Sequence, residues 1–125
     1  MINKLEWLEN KQEYFLENDG IDLYYLISTM LKEQKMSFLQ FLYDASRGIG
    51  CTVHEGLEYV LDQDWDNPEE FDEVSFLLGD YESSTLSPKR FVELMQVIAD
   101  SYIDAHQNDK KSVENNMAKL KERYL

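Results

Sequence analysis

Apolar residues in the first part of the chain recur at the spacing of amphipathic helices. Residues 4–17 carry apolar side chains among polar ones at roughly that spacing, which predicts a first helix. Residues 22–34 follow the i, i+3, i+4, i+7 pattern and predict a second helix. Ser37 and Gln40 have the spacing of a capping box, and Gly48 is typical of a helix end. A third helix is therefore predicted between Ser37 and Gly48.

The hydrophobic period then changes from that of a helix to that of a strand. Alternating positions in residues 56–62 favour a strand, although the same residues would also tolerate a helical turn. Residues 74–78 alternate more regularly, and the Gly79-Asp80 pair that follows is typical of a hairpin turn. These segments predict a small antiparallel β-meander.

Two further helices are predicted after the meander. Ser87 is a favourable N-cap and Pro88 a favourable first-turn residue, and apolar positions then continue at helical spacing to Tyr102. From Ser112 a second apolar face recurs to the C-terminus. The prediction is an α+β fold with three N-terminal helices, a small antiparallel β-meander and two C-terminal helices. Because no repeat, low-complexity tract or linker interrupts the pattern, residues 1–125 are predicted to form a single domain.

The composition is typical of a globular protein in a reducing compartment. Hydrophobic residues make up 43% of the chain, which is enough for a core although 30% of the residues are charged. The single cysteine, Cys51, excludes an internal disulfide, and residues 1–10 lack the basic head and apolar body of a signal peptide. The longest apolar run, residues 23–27, is too short to cross a bilayer. We therefore expect a cytoplasmic protein.

Negative charge is concentrated in the middle of the chain. The formal net charge is −13, and no lysine or arginine lies between Arg47 and Lys89. That interval contains eleven acidic residues, whereas the rest of the chain has 14 acidic residues against 12 basic ones. Such a protein is repelled by the phosphate backbone of nucleic acids and by anionic membranes, so direct binding to either is disfavoured.

The densest part of this interval is residues 62–73, where seven carboxylates allow three interpretations. As a calcium loop, the segment would place Asp62, Asp64, Asp66 and Glu73 at ligand positions. However, its sixth position is not glycine, its seventh is proline, and strand-like segments flank it where paired helices are required. The other two interpretations are a solvated acidic loop and a binding surface for a cationic protein.

Repulsion among the carboxylates and the aromatic residues between them favour the binding surface. Unpaired carboxylates within a Debye length of about 8–10 Å repel one another, and a basic partner would relieve that cost. Trp65, Phe71 and Tyr81 lie among the acids, and aromatic anchors ringed by charge suit a protein interface. Phe71 is expected to be buried, whereas Trp65 and Tyr81 suit either the core or the surface.

No catalytic, cofactor or metal site is predicted. Cys51 and His54 are close in sequence, but a buried thiol beside a strand-edge histidine is more typical of structure than of a catalytic pair. His106 follows a long predicted helix, where a histidine is favourable for the helix dipole. The two histidines and one cysteine show no zinc-ligand spacing, and residues 48–51 lack the lysine of a phosphate loop. An enzyme using carboxylates would need two of them, with raised pKa values, in a pocket, which composition does not show.

A longer stretch of the chain resembles a known protein family. Residues 58–103, EYVLDQDWDNPEEFDEVSFLLGDYESSTLSPKRFVELMQVIADSYI, are similar to the body of bacterial immunity proteins of contact-dependent growth inhibition (CDI). In particular, FDEVSFLLGDYE and LSPKRFVELMQ resemble the strand, acidic turn and strand-to-helix passage of that family. The resemblance implies a small cytoplasmic protein that binds and blocks the C-terminal toxin domain of a large exported protein, often by covering a nuclease active site.

Charge and resemblance together lead to one functional hypothesis. A nuclease attracts phosphates through a basic cleft, and carboxylates on an inhibitor exploit the same field. We expect an immunity protein that neutralises a basic toxin, with a calcium-binding protein as the alternative. The predicted partner-binding residues are acidic or aromatic: Asp62, Asp64, Trp65, Asp66, Glu69, Glu70, Asp72, Glu73, Asp80, Tyr81 and Glu82. If the hairpin at residues 79–82 faces away from the 62–73 loop, only one of the two acidic groups meets the partner.

Overall fold

A computed structural model describes residues 4–79 and 81–125, with the backbone only for residues 81–83. The helices in these ranges are α1 (Glu6–Glu9), α2 (Gln12–Glu17), α3 (Ile21–Lys32), α4 (Phe38–Ser46), α5 (Pro88–Ala105) and α6 (Lys110–Tyr124). The strands are β1 (Cys51–His54), β2 (Leu57–Val60), β3 (Val74–Leu78) and β4 (Tyr81–Leu86). The predicted α+β class and element order are confirmed. Within these ranges, none of the helices has the length and apolar character that spanning a bilayer requires.

The predicted first helix is divided into two short helices. Lys11 donates its backbone N–H to Leu8 O at 3.0 Å, and the chain leaves the helical conformation between α1 and α2. The two halves have different partners. Trp7 O of α1 accepts the hydroxyl of Ser101 in α5 at 2.5 Å, whereas α2 packs on α3. The break therefore lets each half bury its apolar side chains against a different helix.

Serine caps set the starts of two longer helices. Ser37 Oγ accepts the backbone N–H of Gln40 at 3.1 Å at the start of α4, and Ser87 Oγ accepts that of Arg90 at 3.1 Å at the start of α5. Each bond satisfies a donor that a helix N-terminus otherwise leaves free. The reciprocal bond of the predicted capping box is replaced, because Gln40 Nε2 donates to Asp44 Oδ1.

The four strands form an antiparallel meander in the order β1-β2-β3-β4. The segment that allowed either strand or helix is β2, and β1 adds one strand before the predicted meander. In β2 and β3, Leu57, Tyr59, Val74 and Phe76 are buried, and the residues between them are half-buried. One face of the sheet therefore packs inward, as the period of two requires.

Aromatic side chains of the helices pack on this inward face. Tyr59 of β2 contacts Phe41 of α4 at 5.4 Å and Phe91 of α5 at 5.9 Å between ring centroids. Further along the core, Trp7 of α1 contacts Phe38 of α4 edge to face at 5.6 Å. Such ring pairs add to the free energy gained from the buried area. The core thus fixes the ends of β2, β3 and α5, near which the acidic residues lie.

Candidate functional site

Residues 62–73 connect β2 to β3 and are called here the acidic loop. Two single-turn 3₁₀ helices, Asp62–Asp64 and Pro68–Glu70, shape its path. Pro68, with its fixed φ, is well suited to open the second turn. Among the described residues, two of the seven carboxylates of the loop bond to the rest of the protein and five do not.

Asp62 is buried and anchors the start of the acidic loop. Its Oδ2 lies 2.6 Å from Arg123 Nη1, and its Oδ1 accepts the hydroxyl of Tyr124 at 2.5 Å. Gln63 Nε2 also donates to Oδ2, at 3.0 Å. Only 8% of Asp62 is exposed, and a carboxylate so buried is tolerated only when it is paired and hydrogen bonded. Both strong partners come from the last residues of α6.

A glycine just after α4 leaves room for this ion pair. Gly48 has a φ of +81°, a conformation that favours glycine. A Cβ at this position would lie 2.6 Å from Asp62 Oδ1 and 2.7 Å from Arg123 Nη1. Arg123 Nε donates in addition to Ser46 O, at 3.2 Å. Position 48 therefore requires glycine both for its backbone conformation and for the space that the ion pair occupies.

Asp64 anchors the acidic loop a second time. Its Oδ2 accepts the backbone N–H groups of Gly50 and Leu61, each at 2.8 Å. A Cβ at Gly50 would lie 2.1 Å from Tyr59 O and 2.9 Å from Asp64 Oδ2. The Gly-Ile-Gly sequence of residues 48–50 thus allows both anchoring carboxylates to approach the backbone closely.

A row of aromatic rings holds the middle of the acidic loop against the core. The ring centroids of Trp65 and Phe71 are 5.5 Å apart, those of Phe71 and Tyr124 are 5.6 Å apart, and those of Tyr124 and Phe91 are 6.3 Å apart. Trp65 and Phe71 are both half-buried, so the burial expected for Phe71 is partial. Each of these two rings packs within the protein on one side and leaves part of its surface exposed.

Burial and hydrogen bonding hold the hydroxyl of Tyr124 in its neutral form. Burial, and then the hydrogen bond to Asp62, raises the pKa of Tyr124 well above its ordinary value. The phenol is therefore a proton donor to Asp62 throughout the physiological pH range. The ion pair and this hydrogen bond together occupy both oxygens of the Asp62 carboxylate.

The remaining five carboxylates of the acidic loop are exposed: Asp66, Glu69, Glu70, Asp72 and Glu73. In the part of the chain that the structure describes, none of the five forms an ion pair. Asp64 is also exposed, although its Oδ2 is hydrogen bonded. The acidic loop therefore presents uncompensated negative charge on a framework that Asp62 and Asp64 hold in place.

The second acidic group of the prediction lies at the other end of β3. Asp80 and the side chains of Tyr81 and Glu82 are outside the described residues. The backbone of Tyr81 pairs with Leu78, at the end of β3 opposite to Val74, which follows the acidic loop. At a strand rise of about 3.3 Å per residue, Val74 and Leu78 are about 13 Å apart. The two acidic groups of the prediction therefore lie at opposite ends of β3.

The geometry of the acidic loop differs from that of a calcium loop. Asp62 is bonded to Arg123 and Tyr124, and Asp64 is bonded to backbone amides. Strands β2 and β3 flank the loop where a calcium loop has helices. Among the described residues, no three histidine, cysteine or acidic side chains are grouped so as to hold a metal ion. The carboxylates therefore do not converge on one centre.

The side chains considered for catalysis make contacts of a structural kind. Burial, with nearby carboxylates adding to it, raises the pKa of the Cys51 thiol to about 12, so the thiol is protonated at neutral pH. His54 Nε2 lies 3.8 Å from Glu33 Oε2 at the surface. The ring of His106 stacks on that of Tyr102 with centroids 4.0 Å apart. These contacts direct both histidines to partners other than Cys51.

Sequence patterns did not predict the roles of Arg123 and Tyr124. These residues are 61 and 62 positions from Asp62, and no hydrophobic period relates the two segments. The available signal was the pair of glycines at 48 and 50, since closely spaced glycines often mark a close approach to the backbone.

A comparison with protein families shows what the chain is similar to. A family model described as CDI immunity protein matches residues 8–117. The matched residues include the whole acidic loop, whereas Arg123 and Tyr124 lie beyond them. No curated protein and no solved structure matches the chain significantly.

Proposed function

The chain belongs to the family of CDI immunity proteins, and we propose that it neutralises a basic toxin domain, a nuclease, by binding it through the acidic loop. The partner is the cognate toxin domain of the same growth-inhibition system. The immunity function rests on family membership. The acidic interface and the nuclease activity of the toxin are proposed here.

One observation carries the proposed interface. Within the described residues, five exposed carboxylates that form neither an ion pair nor a side-chain hydrogen bond stand on a loop that Asp62 and Asp64 hold from within. Because these contacts order the loop in the free protein, it loses little conformational freedom when a partner binds. Less of the free energy gained from contacts with the partner is therefore offset by a loss of conformational entropy.

Electrostatics explains why a nuclease suits this surface. A nuclease attracts phosphate groups through positive charge in its cleft. The same positive charge attracts a surface of carboxylates. Attraction between opposite charges raises association rate constants toward about 10⁸–10⁹ M⁻¹s⁻¹ at low ionic strength. Fast association favours neutralisation of the toxin before it cuts its substrate.

The proposal also defines where and how the protein acts. It acts in the cytoplasm as one domain, residues 1–125, and it blocks the toxin by binding rather than by catalysis. With a net charge of −13, it makes no direct contact with nucleic acid or with an anionic membrane. It requires no cofactor or metal ion for this binding.

Charge reversal in the acidic loop tests the proposal. The wild-type protein and the double variant Glu69→Lys/Glu70→Lys are titrated against the toxin domain encoded beside this protein, and rate constants are measured at several salt concentrations. We expect the variant to associate about tenfold more slowly at low salt and to show a weaker dependence on salt.

A second double variant, Asp104→Lys/Glu114→Lys, controls for the change in net charge. Both residues are exposed, on α5 and α6. Asp104 is sixteen residues along α5 from Pro88, about 24 Å from the helix end that lies beside the acidic loop. If both double variants slowed association equally, or if the loop variant did not slow it, the acidic loop would not be part of the interface.

A further inference from the structure

Leu16, at the end of α2, is unusually exposed for a large apolar side chain. It is 61% exposed, and among the described large apolar residues only Leu125 is more exposed. A single exposed leucine is common on protein surfaces and indicates nothing alone. The surroundings of Leu16 decide whether it belongs to an interface.

Leu16 borders a groove of about 480 Å³. The groove lies between the α2–α3 connection, the end of β4 and the first turn of α5. Three of its nine lining residues are apolar, Leu16, Ile21 and Leu86, and the other six are polar or charged, among them Asp19, Ser87 and Arg90. The groove is mostly polar, and Leu16 at its edge offers an exposed apolar side chain to a protein partner.

This groove adjoins the acidic loop across one helical turn. Pro88, in the first turn of α5, lines a second groove of about 330 Å³ together with Phe71 of the acidic loop and Tyr124. Ser87, the residue before it, lines the first groove. A helix is about 10 Å across, whereas a standard protein interface buries about 800 Å² on each partner. One partner on the acidic loop therefore reaches the groove beside Leu16.

The charge around Leu16 has the same sign as that of the acidic loop. Glu13, Glu17 and Asp19 are exposed, and none of them forms an ion pair within the described residues. Between the two acidic groups lie the exposed Lys89 and the half-buried Arg90. A basic partner thus meets negative charge at both ends of this face, and a short basic interruption between them.

We propose that the toxin-binding face extends from the acidic loop across the first turn of α5 to Leu16, which is its apolar anchor. This inference rests on the proposed function. The aromatic rings of the acidic loop are partly used in packing, because Trp65 contacts Phe71 and Phe71 contacts Tyr124. Leu16 supplies the apolar contact that the loop provides only in part. Charge sets the rate of association, and the anchor sets the rate of dissociation.

Replacement of the anchor tests this face without endangering the fold. Leu16→Ala is compared with Tyr43→Ala, because Tyr43 is also exposed, at 41%, and lies on α4. We expect Leu16→Ala to raise the dissociation rate constant of the toxin complex about five- to tenfold, with an unchanged association rate constant and melting temperature. A dissociation rate no faster than that of Tyr43→Ala would exclude Leu16 from the interface.

A gain of affinity provides a second test, because a damaged fold cannot produce it. Lys89→Glu removes the exposed positive charge between the two acidic groups. We expect association with the basic toxin to become several-fold faster at low salt, and this gain to disappear at high salt. An unchanged or slower association would place Lys89 outside the face.

The two proposals fail separately. If the loop variant Glu69→Lys/Glu70→Lys weakens binding but Leu16→Ala and Lys89→Glu have no effect, the toxin is bound by the acidic loop alone. The extended face is then wrong, and the proposed function stands. If the loop variant binds as wild type does, the proposed function loses its interface whatever the other variants show.

Discussion

Arg123 and Asp62 form an ion pair at 2.6 Å between Nη1 and Oδ2, although 61 residues separate them in the sequence. The pair joins the end of α6 to the start of the acidic loop. Its side chains are 32% exposed for Arg123 and 12% exposed for Asp62, so solvent screens it only in part. The position of the acidic loop therefore depends on the C-terminal residues.

Removal of the arginine leaves a buried carboxylate without its counter-charge. We expect Arg123→Ala to lower the free energy of unfolding by about 2–3 kcal/mol, less than the 3–5 kcal/mol typical of a fully buried pair. Urea unfolding measures the change. Arg47→Ala is the control, because Arg47 is exposed and packs over the ring of Tyr43. If both variants lowered the free energy of unfolding equally, the ion pair would contribute no more to stability than an exposed arginine does.

Tyr124→Phe removes one hydrogen bond and keeps the ring contacts with Phe71 and Phe91. The lost bond runs from the hydroxyl to Asp62 Oδ1 at 2.5 Å. A hydrogen bond to a charged acceptor contributes about 1.5–3 kcal/mol, so we expect a loss of about 2 kcal/mol in urea unfolding. The substitution should also speed hydrogen exchange, relative to wild type, more at the backbone amides of the acidic loop than at those of β2. An equal increase in both segments would contradict a local anchor.

Gly48→Ala tests whether the glycine is needed for the ion pair or only for its backbone conformation. Gly79→Ala is a matched control, because Gly79 also has a positive φ, +73°, but no atom of the described residues other than its chain neighbours lies within 4 Å of its added Cβ. We expect a loss of about 1 kcal/mol at Gly79 and about 3 kcal/mol at Gly48, where the Cβ meets Asp62. Thermal unfolding compares the two. Equal losses would show that backbone strain alone matters.

Stability should fall at alkaline pH, beginning near the ordinary thiol pKa of 9.0. Burial raises the pKa of Cys51 to about 12 in the folded protein. Above pH 9 the unfolded chain releases this proton while the folded chain keeps it, so stability decreases by at most about 1.4 kcal/mol per pH unit. The contribution is complete below pH 9 and lost as the pH rises toward about 12.

Urea unfolding between pH 8 and pH 11 checks this dependence. Cys51→Ala should flatten the curve between pH 9 and pH 10. Above pH 10 both proteins should lose stability, because burial also raises the pKa of Tyr59 and Tyr124 above the ordinary value of 10.0. A wild-type curve that stays level up to pH 10 would show that the thiol is not protected.

Most of the fold followed from local patterns. Alternation placed β2 and β3, and Ser87 with Pro88 placed the start of α5, because strand period and helix capping depend on neighbouring residues. The break between α1 and α2 did not follow from the pattern, since it arises where the two halves pack on different helices.

The acidic interval could be predicted because the sign of its charge follows directly from the residues that it contains. Composition treats every carboxylate alike, however, and did not separate Asp62 and Asp64 from the others. Their roles depend on Arg123, Tyr124 and Gly50, which only folding brings within hydrogen-bond distance. Local periodicity and net charge therefore determine the elements and the sign of the surface, whereas contacts between distant segments decide which acids anchor the loop and which are left without a bonded partner among the described residues.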